Sequence, residues 1–594
     1  MNKLASLRTL MKEKNIDAYV IYSGDAHGSS YVADYWKSRA WLSGFTGSSG
    51  TVVVTETHAG LWTDGRYFVQ AEAELSGTEF TLYKMDMLDV PTYKEFLAEN
   101  LPQGGKLGFD GRVVGVKEFN KIKDALEDKA ISYAYGEDLM DKVWKDRPSL
   151  PTEPAFEHEP RFACTPASEK LGAVRREMAE HGATSYLVTA MDGIAWLTNI
   201  RGRDIAFTPV VYAYAVITTD TAHIFIDRNK VAPFATKLTA QGFTLHDYDE
   251  IAGFLGNLPC GTLVYDPGRI NVLLSEAVPS NVTVETDLDT DIITMLKAPR
   301  TPAELANIRY AFLKEGTVLV RCLKWLKEQK DITELTEGDV VRKLTSLREL
   351  EADFVSDGFS TIVAIGGNAS QAHYSSGPVG DKLKPEGFLL IDTGAQYLDG
   401  TTDTTRTIAV GPLTPEMKRH YTLVLKGYMR LARAVFPKGT AGVQLDVLAR
   451  AALWAEGLDY RHGTGHGIGY CLAVHEGPQG VHKKGKVAFE PGMMISNEPA
   501  FYVDGVYGIR TENIEVVTKK AETEYGEFYG FETLMYCPID TTAIDASILT
   551  QDEIDYLNAY HAKTYEMLAP RLNDDERAWL KEATKAINAV LVFS

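Results

Sequence analysis

Phe388-Leu-Leu-Ile-Asp392-Thr-Gly-Ala-Gln-Tyr-Leu-Asp399-Gly400-Thr-Thr-Asp403-Thr-Thr-Arg-Thr-Ile408 is the stretch from which the fold of this chain is read. Four apolar residues run into an aspartate, a turn signal stands at Asp399-Gly400, and a threonine-rich run follows. That is the pattern of a β-hairpin. With Gln396–Asp399 as the loop, the spacing predicts Asp392 and Asp403 directly opposite each other, Cβ atoms about 4.5–5.5 Å apart on one face. Two carboxylates held so close repel unless a cation lies between them. A carboxylate that follows four apolar residues is also expected to be buried and to need a partner.

The same logic recurs downstream. Met493-Met-Ile-Ser-Asn-Glu498-Pro ends a strand on a carboxylate that Pro499 holds extended. A turn at Asp504-Gly505 follows, then Tyr507-Gly-Ile-Arg-Thr-Glu512-Asn-Ile-Glu, so Glu498 and Glu512 flank their turn as Asp392 and Asp403 flank theirs. Between the two hairpins lies Arg461-His462-Gly-Thr-Gly-His466-Gly-Ile-Gly, with His475-Glu-Gly-Pro nine residues beyond His466. Four glycines in seven residues exclude a helix and let the backbone approach something closely. No Lys-Ser/Thr follows them, as a phosphate-cradling loop requires. Asp, Asp, His, Glu, Glu in this order is one imidazole, four carboxylates and no thiolate. The set suits two divalent ions that share carboxylates, and it fits Mn²⁺ better than a structural zinc site.

The chain around these segments has 594 residues, enough for about three to five domains. With 45% hydrophobic and 24% charged residues it is an ordinary globular mix. A formal charge of −20 repels polyanions, which argues against nucleic-acid and anionic-membrane partners. The 5 cysteines show no C-x-x-C spacing. No run approaches the roughly 18 apolar residues of a membrane span. Leu4, Leu7, Leu10 and Met11 fall at helical spacing among Lys and Arg, as in an amphipathic helix and unlike a signal peptide. A soluble, cytoplasmic protein is expected.

Two breaks divide the chain. Asp146 to Pro160 carries four prolines and reads as a linker. Thr301-Pro-Ala-Glu304 is a capping box that opens a long helix through Ile308, Phe312, Leu319 and Leu323. The expected domains are therefore 1–150, 151–300 and 301–594. The first two resemble each other: helix into strand at Leu4–Ile21 and Leu171–Val188, then Ala40-Trp-Leu-Ser-Gly-Phe45 and Ala195-Trp-Leu-Thr-Asn-Ile200. Strands Thr51–Thr55 and Val211–Thr218 come next, then Leu61-Trp-Thr-Asp64 and Ile224-Phe-Ile-Asp227. A duplicated α/β domain is expected.

Ile391-Asp-Thr-Gly-Ala395, His462-Gly-Thr-Gly-His466-Gly, Val474-His-Glu-Gly-Pro478 and Asn497-Glu-Pro499 resemble the metallopeptidases of the pita-bread fold. Within them the chain is most similar to the three-domain, cytosolic-type Xaa-Pro aminopeptidases (aminopeptidase P). The likeness spans essentially the whole length, including Trp62-Thr-Asp-Gly-Arg-Tyr67, Gly358-Phe-Ser-Thr-Ile362 and a helical tail. One departure is Ala500, where glycine is usual. The resemblance implies an α/β (α+β) protein: two tandem creatinase-like amino-terminal domains and a pita-bread catalytic domain. It implies an exopeptidase that removes the first residue of peptides with proline in second position, through a hydroxide bridging two metal ions. Mn²⁺ is the first choice, with Zn²⁺ and Co²⁺ as alternatives.

Carried over residue by residue, the resemblance makes Asp392 a ligand of one ion, Asp403 and Glu512 bridges, and His466 and Glu498 ligands of the second. Glu498 also moves a proton to the leaving nitrogen. His373, His462 and His475 line the cleft as catalytic residues, and His373 and His475 bind substrate carbonyls and the tetrahedral intermediate. Arg66 reaches the peptide across domains or subunits, and Arg510 steadies the carboxylates. A homodimer is implied, for which the apolar tail residues Trp579, Leu580, Ile587 and Val590 offer a surface; the alternative is that the tail packs back on its own catalytic domain and the dimer forms through that domain. Two other readings are open: a prolidase, which cleaves X-Pro dipeptides but usually has one amino-terminal module, and a catalytically dead pita-bread module that binds proteins.

Overall fold

The structure is a computed structural model that describes residues 2–286, 288 and 290–588. The chain divides into two compact units, Met1–Pro160 with Thr165–Ile293, and Arg161–Cys164 with the residues from Thr294 onward. The first unit holds two copies of one module. Strands β1 (Ala18–Tyr22), β2 (Thr51–Thr55), β3 (Ala59–Thr63), β4 (Thr81–Lys84), β5 (Lys106–Phe109) and β6 (Ser132–Ala134) lie in the order β4-β3-β2-β1-β5-β6. Strands β7 (Ser185–Val188), β8 (Ala213–Thr218), β9 (Ala222–Ile226), β10 (Thr244–His246), β11 (Gly261–Val264) and β12 (Val282–Glu285) repeat it as β10-β9-β8-β7-β11-β12. In each copy the central strand is antiparallel to one neighbour and parallel to the other. Covered on both faces, β1 and β7 read as nearly unbroken apolar runs, without alternation.

The copies dock through the same loop of each, Phe109-Asp-Gly-Arg112 and its continuation after β5, and Tyr265-Asp-Pro-Gly-Arg269 after β11. The Val116 N–H donates to the Ile270 carbonyl and the Val272 N–H to the Val114 carbonyl, both at 3.0 Å. Gly115 is required between them, since a Cβ would stand 2.8 Å from the Gly268 carbonyl oxygen.

In the second unit, Thr301 and Glu304 form the expected capping box and the helix Pro302–Lys327 follows. It buries Ile308, Phe312, Leu319 and Leu323 against Val363, Leu389 and Ile391 of the strands Ile362–Ile365 and Phe388–Thr393. Strands Val435–Pro437, Gly526–Thr533, Asn513–Thr523 and Met494–Asn497 form a separate four-stranded sheet. The helical tail, Gln551–Leu568 and Asp574–Ala583, folds back on this unit. Leu580 is 0% exposed in a cluster with Val320, Leu568 and Leu572, against which Trp579 packs, and Ile587 packs on another core cluster. Of the two arrangements expected for the tail, its described apolar residues thus follow the one in which it packs on its own chain, Leu580 buried and Trp579 and Ile587 half-buried. Val590 lies outside the described residues.

Strand Asn513–Thr523 carries a carboxyl that takes no part in the site, Glu515, which is 0% exposed. Burial pushes it up to about 8. An unfolded glutamate ionises near 4.3, so between those values the folded chain keeps a proton that the unfolded chain releases. Stability therefore falls by up to about 1.4 kcal/mol per pH unit as pH rises from near 4.3 to about 8, then levels off. Glu515→Gln is expected to remove that slope, gaining on wild type at pH 8 relative to pH 5.5. Thermal melts across this range check it, and parallel curves for the two proteins would assign the slope to another group.

Candidate active site and metal centre

Strand Phe388–Thr393 lies between Ile362–Ile365 and Thr404–Ala409, with Asp392 paired to Thr405 and Thr393 to Thr404. Beyond a break at Gly394, Gln396 pairs with Thr401 and Tyr397 with Gly400. The loop is thus Leu398-Asp399, two residues shorter than the expected Gln396–Asp399, and the direct opposition of Asp392 and Asp403 is corrected. Asp392 faces Thr405, and Asp403 sits two positions earlier. A shift of two keeps a side chain on its face, and the two carboxylates still act on each other. In the second hairpin, Asn497 pairs with Asn513 and Ala500 with Arg510, a register that sets Glu498 across from Glu512. The Glu512 N–H donates to the Thr405 carbonyl at 3.1 Å and Thr405 Oγ1 donates to Glu512 Oε2 at 2.7 Å, which seams the hairpins together. The Ala500 methyl is buried in the core.

His466 enters on the short strand Gly465–His466. Its Nδ1 lies 2.9 Å from the Gly467 carbonyl oxygen. A carbonyl only accepts, so Nδ1 carries the proton and Nε2 presents its lone pair. That lone pair meets Asp403 Oδ2 at 3.4 Å and Glu498 Oε1 at 3.5 Å. One ligand atom each from Asp403, His466 and Glu512 lies within 4.8 Å of the others. The glycines around His466 make room for neighbouring backbone: a Cβ on Gly465 would stand 1.9 Å from the Ser496 carbonyl oxygen.

Asp403 and Glu512 are 4% and 2% exposed. Burial, then the charges of the other carboxylates, hold both well above the usual carboxyl range. Glu498 is raised as well, chiefly by burial. Asp392 Oδ1 is buried without a hydrogen-bond partner, although Oδ2 pairs with Arg510. Natively buried polar atoms are satisfied. An orphaned carboxylate oxygen, three further carboxylates and an imidazole lone pair form a donor set that fits divalent cations.

Arg510 braces the site as expected, touching Asp392 through one nitrogen, Tyr502 Oη through another at 2.6 Å, and Thr405 Oγ1 through Nε at 3.1 Å. The Tyr502 hydroxyl in turn donates to His462 Nε2 at 2.8 Å, because His462 Nδ1 is committed to the Gly463 carbonyl at 2.7 Å. Burial, with the Arg510 charge second, pushes His462 down to about 3, so the ring is neutral at working pH. Tyr502 has no signal in the sequence beyond an aromatic in a strand.

The His475 ring is exposed and its centroid lies 4.2 Å from that of His466. His373 is half-buried and acts electrostatically on His462. Its loop hangs on Glu337, a fully buried carboxylate at the start of the helix Glu337–Arg348. Glu337 accepts from the Ile365 N–H (2.9 Å), Asn368 Nδ2 (3.0 Å), Tyr374 Oη (2.7 Å) and the Asp381 N–H (2.9 Å). In sequence it reads only as a helical residue. Arg66 belongs to the first unit, where Asp64 holds it by two bonds of 2.7 and 2.8 Å.

Metallopeptidase family M24 matches residues 306–519, and the C-terminal region of peptidase M24 matches 527–587. Creatinase/prolidase N-terminal domains match residues 3–141 and 146–304. The probable Xaa-Pro aminopeptidase P of Coprinopsis cinerea is 37% identical over 613 residues, 98% of each chain. Aminopeptidase P1 of Arabidopsis thaliana is 36% identical over 98% of this chain and 99% of its own. A solved X-prolyl aminopeptidase from Caenorhabditis elegans, a cytosolic enzyme with a di-nuclear active site, superposes with a TM-score of 0.92 at 34% identity. It covers 98% of this chain and 99% of its own. A Bacillus anthracis Xaa-Pro dipeptidase (23% identity, TM-score 0.51) shares the fold over only 63% of this chain, although 99% of its own is covered. The two amino-terminal modules, the M24 domain and full-length identity above one third together place the chain in the Xaa-Pro aminopeptidase (aminopeptidase P) family of metallopeptidases.

Proposed function

We propose that the chain removes the first residue of peptides with proline in second position, with Asp392, Asp403, His466, Glu498 and Glu512 holding two divalent ions. The observation that carries this is the convergence of Asp403, His466 and Glu512 within 4.8 Å beside the unpartnered Asp392 oxygen. When bound, such ions supply Lewis acidity and a water acidified near neutral pH. Mn²⁺ is proposed on the oxygen-rich donor set, with Zn²⁺ and Co²⁺ as alternatives. Asp403 and Glu512 are taken as shared ligands on the family resemblance, and both are more buried than Asp392 and Glu498.

Glu498, 3.5 Å from His466 and bonded by Ser496 Oγ at 3.2 Å, is proposed to carry a proton to the leaving nitrogen. His373 and His475 donate to the scissile carbonyl oxygen as charge develops on it, and His462 orients this edge through Tyr502. Arg66 is proposed to contact the peptide, exchanging part of its pairing with Asp64. The two-module unit favours the aminopeptidase over a prolidase, and the full ligand set disfavours a dead module. We assign domains 1–150, 151–300 and 301–594. Among the described residues no helix is long and apolar enough to cross a membrane. A cytoplasmic location is proposed on the likeness to the worm enzyme. Metal analysis with hydrolysis of an X-Pro-Y tripeptide beside an X-Pro dipeptide tests the assignment. Cleavage of the dipeptide alone reverses it to prolidase, and a metal-free, inactive protein to the binding module.

The homodimer is proposed to form through the catalytic domain. Val443, Val447 and Trp454 are exposed along the helix Gly442–Trp454 at spacings that align them on one face. Light scattering is expected to give about twice the 65.6 kDa chain mass, and Val447→Glu to give the single mass. A dimeric Val447→Glu protein would exclude this face.

A further inference from the structure

His475 and Glu476 are adjacent in the chain, yet His475 is exposed and Glu476 is 4% exposed. The Glu476 carboxylate is clamped between two buried cations, Oε2 at 2.7 Å from Lys297 Nζ and Oε1 at 2.6 Å from Arg300 Nη2. Arg300 also donates to the Ile468 carbonyl at 2.8 Å and to the Lys297 carbonyl, while its own N–H donates to the Gly492 carbonyl at 3.0 Å. The Glu476 N–H donates to the Gly467 carbonyl at 2.8 Å. Gly467 and Gly469 leave the space for this approach. A Cβ on Gly467 would stand 2.1 Å from the Glu476 carbonyl oxygen, and one on Gly469 would stand 2.9 Å from Glu476 Oε2. The triad thus ties the residues that follow His466 to the residue that follows His475, and the two rings end 4.2 Å apart.

Buried ion clusters add little net stability, because desolvation offsets the attraction. What they do supply is one geometry, since a guanidinium and a carboxylate meet in few arrangements. None of the three side chains is among the metal-site ligands. We infer that Lys297, Arg300 and Glu476 are positioning residues that hold the His475 ring in place beside His466. This rests on the reading of His475 as a transition-state donor.

The test is a double-mutant cycle on the full chain loaded with metal: wild type, Glu476→Gln, His475→Ala and the double variant, assayed on an X-Pro-Y tripeptide. Glu476→Gln is expected to lower kcat on the order of ten- to a hundredfold, the cost of a displaced group, with KM and metal content little changed. The double variant is expected to be no slower than His475→Ala alone. Losses that multiply, or a wild-type kcat in Glu476→Gln, overturn the inference while leaving His475 its role. A wild-type kcat in His475→Ala overturns the reading of His475 instead. If Glu476→Gln does not fold, Lys297→Met and Arg300→Lys enter the same cycle, each leaving one ion pair intact, and the same outcomes decide.

Discussion

Asp403→Ala is expected to fold, to lose bound metal and to lose turnover by at least about 10³-fold. The carboxylate is 4% exposed and belongs to the trio whose ligand atoms converge within 4.8 Å. Two of its neighbours are already engaged: Thr405 Oγ1 donates to Glu512, and Asp392 Oδ2 pairs with Arg510. Fold survival is expected because Asp403 lies where the hairpin ladder is broken, and because removing one of several crowded carboxylates relieves repulsion. Metal analysis, a thermal melt and a peptide assay on one preparation check all three statements. Near-normal turnover in Asp403→Ala would sink the two-metal reading.

His475→Ala and His373→Ala are expected to keep their metal and to lose about 10²–10³ in kcat, the usual cost of one transition-state donor. The separation of roles follows from His466, whose Nε2 faces Asp403 and Glu498 while its ring lies tilted beside that of His475. His373, half-buried on the loop suspended from Glu337, acts electrostatically on His462. Loss of metal in either variant would put that histidine into the coordination shell and contradict the assignment. A KM change with kcat intact would make it a ground-state contact instead.

The parts of this protein legible in its sequence are those that local chemistry decides. Thr301 and Glu304 announce the helix Pro302–Lys327 because a helix start leaves N–H groups that only capping side chains satisfy. The duplicated modules are legible because a buried strand such as Ala18–Tyr22 leaves an apolar run wherever its copy occurs. Glu498 and Glu512 are correctly placed across their turn at Asp504-Gly505.

What the tertiary structure decided has the opposite character. The register of the first hairpin depends on whether its loop holds two or four residues, and Asp399-Gly400 is compatible with both. Pairing of Gln396 with Thr401 settles it and moves Asp392 opposite Thr405. The glycines around His466 announce a close approach without naming the partner, which is the backbone of Ser496 and Glu476. Glu337, Lys297 and Arg300 look in sequence like ordinary helix and linker residues, because the partners that matter lie tens to hundreds of residues away, and Tyr502 looks like an ordinary strand aromatic because its role depends on His462, 40 residues earlier. The chemistry of the site, acidic residues and histidines at strand ends and among glycines, is written locally and can be read one segment at a time. Its geometry between segments is set by which buried polar groups find each other, and no spacing along the chain encodes that.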